Sequence, residues 1–252
     1  MSISIDLGGQ VAVVTGGGSG IGEAIARTLG AAGAHIAVAD LSLEAAQRVA
    51  KEVEAAGGTA VAVLMDVSDR ESVELAFAQI RESLGPVNHL VNNAAAWAIK
   101  LFADHTAADV AKVVGVTLTG TINVTQVALP DIVANSGTVV IVSSDGARVG
   151  EAWMSVYAGA KAGLIGFAKS VAKEVGRNGV RVNVVAPGTT QTPGSTGFIE
   201  QAGGAEKMAR AYPLGRLGQP QDIADAALFL VSPLSSWVTG QVLSVSGGFT
   251  MV

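Results

Sequence analysis

Val11-Ala12-Val13-Val14-Thr15-Gly16-Gly17-Gly18-Ser19-Gly20-Ile21-Gly22 is the stretch that decides the fold of this 252-residue chain. Val11–Val14 reads as a strand, and Gly16, Gly20 and Gly22 follow it before an amphipathic helical pattern over Gly20–Ala31. Glycines in such a turn let the backbone approach a pyrophosphate. The following helix stabilises the anion through its free N–H groups and its dipole. Taken alone the motif is also what an ordinary Gly-rich strand-to-helix turn looks like, so the surrounding sequence has to decide.

Outward from this turn, short β-branched runs alternate with Ala-rich helical stretches. The strand candidates are Val11–Val14, His35–Ala39, Thr59–Leu64, His89–Asn92, Gly137–Val142, Arg181–Val185 and Gln241–Val245. Between them lie helical patterns over Gly20–Ala31, Leu43–Ala56, Arg70–Leu84, Ala107–Leu129, Ser155–Arg177 and Gln219–Val231. Apolar strands separated by helices read as βαβ units. The expected class is α/β: a Rossmann-like, doubly wound parallel sheet of about seven strands with helices on both faces. No linker, charge block or repeat divides residues 1–252, which are read as one domain. Thr189–Gly204 breaks the alternation, being rich in Gly, Thr and Ser with little periodicity. A substrate lid over about 189–211 or a disordered segment is expected there.

Hydrophobic residues make up 49% of the chain and charged ones 15%, a balance that demands extensive burial in a covered sheet or between subunits. A net charge of -5 argues against nucleic-acid and anionic-membrane partners. With no Cys there is no thiol nucleophile or Cys-ligated zinc, and His35, His89 and His105 are too scattered to suggest a metal site. No uninterrupted apolar run approaches the roughly eighteen residues of a membrane span. The start, Met-Ser-Ile-Ser-Ile-Asp, lacks the basic and apolar regions of a signal peptide, so a cytoplasmic location is expected.

Three further places carry chemistry. Asp40 ends the second strand, eighteen residues after Gly22, where a carboxylate accepts bonds from adenosine ribose hydroxyls. It would repel a 2′-phosphate, and no Lys or Arg lies in Gly16–Gly22 or directly after Asp40, so NAD is expected in preference to NADP. The alternative is a plain helix N-cap. Asp66 and Asn92-Asn93-Ala94 follow the third and fourth strands at edges where open sheets bind ligands, though a cap and a turn explain them equally. Tyr157 and Lys161 are four apart and share a helix face, with Ser144 thirteen positions upstream. An ammonium about 4 Å from the phenol oxygen favours phenolate by roughly 4 kcal/mol at an effective dielectric near 20. That moves a Tyr pKa from about 10 toward about 7. A partly buried Tyr beside a solvated Lys is the plainer reading of the pair.

Together these motifs resemble the short-chain dehydrogenase/reductase family over nearly the whole chain. They run from Gly16-x-x-x-Gly20-x-Gly22 through Asp66-Val67, Asn92-Asn93-Ala94-Ala95, Ser144, Tyr157-x-x-x-Lys161 and Pro187-Gly188 to Ser246-Gly247-Gly248. The resemblance implies that Tyr157 is the general acid/base, that Lys161 lowers its pKa and bonds the nicotinamide ribose, and that Ser144 rather than Ser143 holds the substrate oxygen. It implies that the turn, with Ser19 and Ile21, binds the cofactor, and that Asp66 and Val67 face the adenine. Asn93, Ala94 and Ala95 would line the adenosine ribose side, and Pro187, Gly188, Thr190 and Thr192 the nicotinamide carboxamide. One departure stands out: Thr117 occupies the slot where the family usually has an Asn supporting a water relay behind the Lys. Asn123 cannot replace it, since six residues further on lies about 240° round the helix. Ala95 and Ser246 stand where Gly and Asp are common.

The expected function is hydride transfer between NAD(H) and a secondary alcohol or ketone, with a cyclic or β-hydroxyacyl thioester substrate open. An epimerase or dehydratase on the same scaffold, and a non-catalytic NAD-binding sensor or structural subunit, are the alternatives. Asp145, Glu151, Trp153 and Met154 are candidates for the substrate pocket, although Trp153 and Met154 suit a core or subunit contact as well. Arg148, Lys207, Arg210 and Arg216 suit either a phosphate-bearing substrate or a solvated face. The two long helices carry more small and apolar residues than one sheet can bury, and the resemblance implies pairing into a homotetramer or homodimer.

Overall fold

The computed structural model of the chain describes residues 5–251; the first four residues of the N-terminal stretch and Val252 lie outside the described residues. Seven strands form a single sheet: β1 Val11–Thr15, β2 His35–Asp40, β3 Thr59–Leu64, β4 His89–Asn92, β5 Thr138–Val142, β6 Arg181–Pro187 and β7 Val242–Val245. Their order is β3-β2-β1-β4-β5-β6-β7, and every neighbouring pair is parallel. Chain order reverses between β1 and β4, so the loops leaving these two strands diverge and open a crevice at their carboxyl ends.

Alternation along β1 shows why helices cover both faces. Val11 and Val13 point into one core with Phe77, Ile80, Ile132 and Leu164, while Ala12 and Val14 point into the other with Ile25, Leu29, Val49 and Ile223. The first face carries helices α3 (Arg70–Leu84), α5 (Gly120–Ala134) and α7 (Ser155–Val175); the second carries α1 (Gly20–Ala31), α2 (Leu43–Ala55) and α10 (Pro220–Val231). Local sequence starts these helices. Ser42 accepts from Ala45 N at the head of α2, Asp69 accepts from Glu71 N at the head of α3, and Pro220 occupies the first turn of α10.

Three departures from the sequence reading have physical causes. The pattern expected to end at Leu129 continues past Pro130 to Ala134, because Ile132 is buried in the core and Arg81 pairs with Asp131 at 2.9 Å. Packing and the ion pair outweigh the backbone bond that Pro130 removes. Upstream, α4 (Ala107–Val114) joins α5 through a π-helical turn at Gly115–Thr119. The resulting 28-residue helix is long and apolar enough, by length and composition, to cross a membrane, although Asp109, Lys112 and Asp131 interrupt its apolar run. Here α5 packs on α3, β4 and β5. Lastly, the aperiodic stretch after β6 is ordered as a 3-10 turn at Pro193–Ser195, then α8 (Thr196–Gln201) and α9 (Ala205–Ala209). Thr192 and Ser195 cap that turn reciprocally. A further one-turn helix, α6 (Gly146–Val149), follows β5.

Candidate active site

The crevice at the β1/β4 switch point is a cleft of about 570 Å3 lined from the Gly-rich turn at one end to the segment after β6 at the other. Its floor begins at Gly16, whose φ of +61° is one that few residues other than glycine adopt. Gly22 is fixed by crowding instead: a Cβ there would lie 2.0 Å from the Gly16 carbonyl oxygen. Gly22 therefore lets the helix pack on the turn and does not line the cleft, whereas Gly16, Ser19, Gly20 and Ile21 do. Ser19 sits at the N-cap of α1 in extended conformation, yet no side chain caps that terminus. The first N–H groups of α1 thus face the cleft without a side-chain acceptor, as an anion site requires.

Asp40 closes this end. Its two carboxylate oxygens accept from Gly18 N and Ser42 N, each at 2.9 Å. Ser42, not Asp40, caps α2, which removes the cap reading of the acid. Arg48, from one face of α2, donates to the Gly18 carbonyl at 2.8 Å while paired with Glu23 and Glu52. This cation near the Asp40 end lies beyond the short windows read for basic residues. Asp66 likewise does not cap a helix, since Asp69 does so for α3; it accepts from Ser68 N at 2.9 Å and shapes the turn beside Val67. Asp66, Val67, Asn93, Ala94 and Ala95 all line the cleft. The Asn93 amide donates to the Thr15 and Gly16 carbonyls at 3.0 and 3.1 Å, which locks the loop after β4 onto the glycine turn.

Ser144, Tyr157 and Lys161 meet in the middle of the cleft, and Pro187, Gly188, Thr190 and Thr192 line its far side. Two adjacent serines have different fates. Ser143 is buried and donates to the Lys161 carbonyl at 2.9 Å, whereas Ser144 Oγ accepts from Gly146 N at 3.1 Å at the cleft wall. Lys161 is only 2% exposed and donates to the Val142 carbonyl, with Nζ 5.7 Å from the centroid of the Tyr157 ring.

Burial shifts this pair in the direction opposite to the expected one. Burial raises the Tyr157 pKa above its ordinary 10, the Glu151 charge raises it further, and the Ser144 hydroxyl is the neighbour that favours phenolate. Burial pulls Lys161 down from 10.5 to about 7. The sequence reading puts a full ammonium charge about 4 Å from the phenol oxygen at an effective dielectric near 20, and leaves out the burial of both groups. The fold instead desolvates both groups and aims the ammonium at a carbonyl, so the neutral phenol is the stable form.

Thr117 does not line the cleft. It is fully buried in the π-helical turn, where Oγ1 donates to the Ala96 carbonyl at 3.0 Å and accepts from Ala96 N at 3.1 Å. Of the pocket candidates, Asp145, Glu151 and Met154 line the cleft, and Trp153 does not. Trp153 lies outside it, 45% exposed, with a left-handed φ of +72°. Asp145 is buried against Ser244 Oγ at 2.8 and 2.9 Å. The four basic candidates stay outside: Arg148 is 3.9 Å from Asp145, Arg216 is 2.6 Å from Asp222, and neither they nor Lys207 and Arg210 line the cleft.

Sequence reading missed the aromatic wall. Trp97 meets Tyr157 edge-on, with centroids 6.3 Å apart and planes at 83°, and lies against Gly194 in the segment after β6. Phe198 and Phe249 complete that wall, with Phe249 stacked on Tyr212 at 5.0 Å. These residues come from four distant segments, and no periodicity links them.

Comparison with known proteins agrees with this geometry. Residues 16–250 match the family described as enoyl-(acyl carrier protein) reductase. The 7alpha-hydroxysteroid dehydrogenase of Escherichia coli K12 is 37% identical over 252 residues, covering 98% of this chain and 96% of that protein. The 3-oxoacyl-[acyl-carrier-protein] reductase FabG of Aquifex aeolicus is 39% identical over 248 residues, covering 98% and 99%. Carbonyl reductase family member 4 of Xenopus laevis is 35% identical over 243 residues, covering 96% and 98%.

Proposed function

The chain belongs to the short-chain dehydrogenase/reductase family, and from that premise we propose that it transfers hydride between NAD(H) and a secondary alcohol or ketone. The family implies a nicotinamide cofactor, and the residues present fit one: an uncapped helix N-terminus faces the cleft, and an acid ends β2. Gly16, Ser19, Gly20, Ile21, Asp40, Asp66, Val67 and Asn93–Ala95 would hold its adenosine and pyrophosphate half. Pro187, Gly188, Thr190, Thr192 and Lys161 would hold its nicotinamide half. When bound, the cofactor supplies the acceptor or donor of hydride and, in its oxidised form, a positive ring that favours phenolate nearby.

The chain's own residues manage the proton. In the reducing direction Ser144 bonds the substrate carbonyl oxygen and neutral Tyr157 donates its proton there as hydride arrives at carbon. In the oxidising direction phenolate takes the hydroxyl proton as hydride leaves carbon, so atoms and charge balance. The apolar wall of Trp97, Met154, Phe198 and Phe249 suits an apolar ring or chain, in keeping with the ring alcohol and acyl substrates that the relatives' names denote.

The observation that carries this reading is the convergence of Ser144, Tyr157 and Lys161 in one cleft with the uncapped end of α1. A panel of secondary alcohols and ketones, assayed for NADH and NADPH formation or consumption, tests it. Turnover is expected with NAD(H), lost by on the order of 10²- to 10⁴-fold in Tyr157→Phe. Asp40→Ser should shift the cofactor preference toward NADP by at least tenfold. Cofactor binding with no turnover of any compound would point to a sensor instead.

A further inference from the structure

Glu151 is a charged group in the cleft that the proposed chemistry leaves without a task. It lines the cleft beside Ser144 and Tyr157. A Cβ built on Gly146 would lie 2.9 Å from Glu151 Oε2 and 3.4 Å from Ser144 Oγ, so the carboxylate and the substrate-holding hydroxyl both border the space in front of that glycine. The carboxylate also acts electrostatically on Tyr157. Among the described residues no cation or hydrogen-bond donor engages it; Arg148, the nearest base in sequence, turns to Asp145 instead.

Partial burial without a partner is unfavourable for a carboxylate, and here burial alone raises its pKa. Such a group gains most from a ligand that brings the missing donor. Its place next to Ser144 sets the location of that donor relative to the reacting carbon, because Ser144 holds the oxygen on that carbon.

We propose that Glu151 is a substrate-recognition residue, selecting secondary alcohols and ketones that carry a hydrogen-bond donor, a hydroxyl or an ammonium, one or two carbons from the reacting carbon. This rests on the redox reading of the same cleft and narrows its substrate class. Vicinal diols, α-hydroxyketones and amino alcohols fit. Substrates bearing a carboxylate at that distance are repelled.

The test uses the full-length protein with its nicotinamide cofactor and four matched compounds: cyclohexanol, 1,2-cyclohexanediol, 2-aminocyclohexanol and 2-hydroxycyclohexanecarboxylate. For the wild type, kcat/KM for the diol is expected to exceed that for cyclohexanol by tenfold or more, with the carboxylate poorest. Taken as ratios within each variant, these values cancel any general loss of activity. In Glu151→Leu the diol advantage should fall to about onefold. In Glu151→Gln, which keeps size and hydrogen bonding but not charge, part of the diol advantage should persist while any preference for the ammonium compound disappears. A wild type that turns over all four without favouring the diol or the amine overturns the inference alone, as does a ratio unaltered in both variants. A wild type inactive on every compound with either cofactor overturns the redox reading and the inference together.

Discussion

Tyr157 and Lys161 set each other's charge state through burial more than through mutual attraction. Neutral phenol is the resting form because desolvation and the Glu151 charge outweigh the contribution of Ser144. The oxidised direction needs phenolate, so kcat/KM for alcohol oxidation should climb steadily from pH 7 to 10, whereas ketone reduction is already supplied with its acid at pH 7. A pH–rate profile of both directions checks this; an oxidation plateau reached below pH 8 would restore the ammonium-dominated picture. Lys161 makes a separate statement about stability. Between its folded value of about 7 and its ordinary 10.5, the unfolded chain binds a proton that the folded chain does not. Stability should therefore rise with pH over that window and be flat with respect to this group below it. Tyr157 acts with the opposite sign only above pH 10, where the unfolded phenol ionises first. Denaturant midpoints from pH 7 to 9 should rise in wild type and stay level in Lys161→Met; parallel curves would show that Lys161 is not held in a depressed state.

The elements hold the site through backbone tethers that side-chain identity alone does not announce. Thr117 joins the π-helical turn to the loop after β4 by both donating to and accepting from Ala96, next to Trp97 of the cleft wall. With its proton committed there, Thr117 anchors the loop and is not placed to lead a water relay. Thr117→Val keeps the shape and leaves both Ala96 groups unsatisfied, so it should destabilise the fold by about 1–3 kcal/mol, read by denaturant unfolding. A change under 0.3 kcal/mol would mean that the tether is dispensable. This element also shows where sequence stops being informative. Every strand and six helices were legible within a few residues, because period-two and period-3.6 burial patterns are written locally. The continuation past Pro130 was not, since Ile132 and Asp131 act through partners on α3 and in the core. Nor were α8 and α9 legible, whose few residues carry too short a pattern to stand out from a Gly- and Ser-rich loop. The glycine turn, Asp40 and the Ser-Tyr-Lys trio could be placed in one cleft because the strand ends order them. Trp97 could not, because its partners are Tyr157 and Gly194, far along the chain.

At the scale of the molecule, one chain leaves apolar surface that its own sheet does not cover. The long helix Ala107–Ala134 has an apolar window of which only 39% is buried, and Ile122 on it is 37% exposed. On α7 a Cβ at Gly159 or Gly166 would meet nothing within 4 Å, so at these two positions the helix backbone is bare and has open space in front of it. The two glycines are seven residues apart, two helical turns, and so share a face on which another helix can approach closely. Both helices also carry the cleft: α7 bears Tyr157 and Lys161, and the Ala107–Ala134 helix anchors the loop beside Trp97. Pairing across them would therefore rigidify the site as well as remove apolar surface from water. We expect a homodimer or homotetramer, the tetramer if a second surface such as that around the fully exposed Trp237 is also covered. Light scattering at micromolar concentration should give two or four times the chain mass. Gly166→Lys, placed where the single chain has open space, should lower that mass without lowering the helix content seen by circular dichroism. A wild type that scatters as a monomer would refute the pairing, and the open space in front of α7 would then need another occupant.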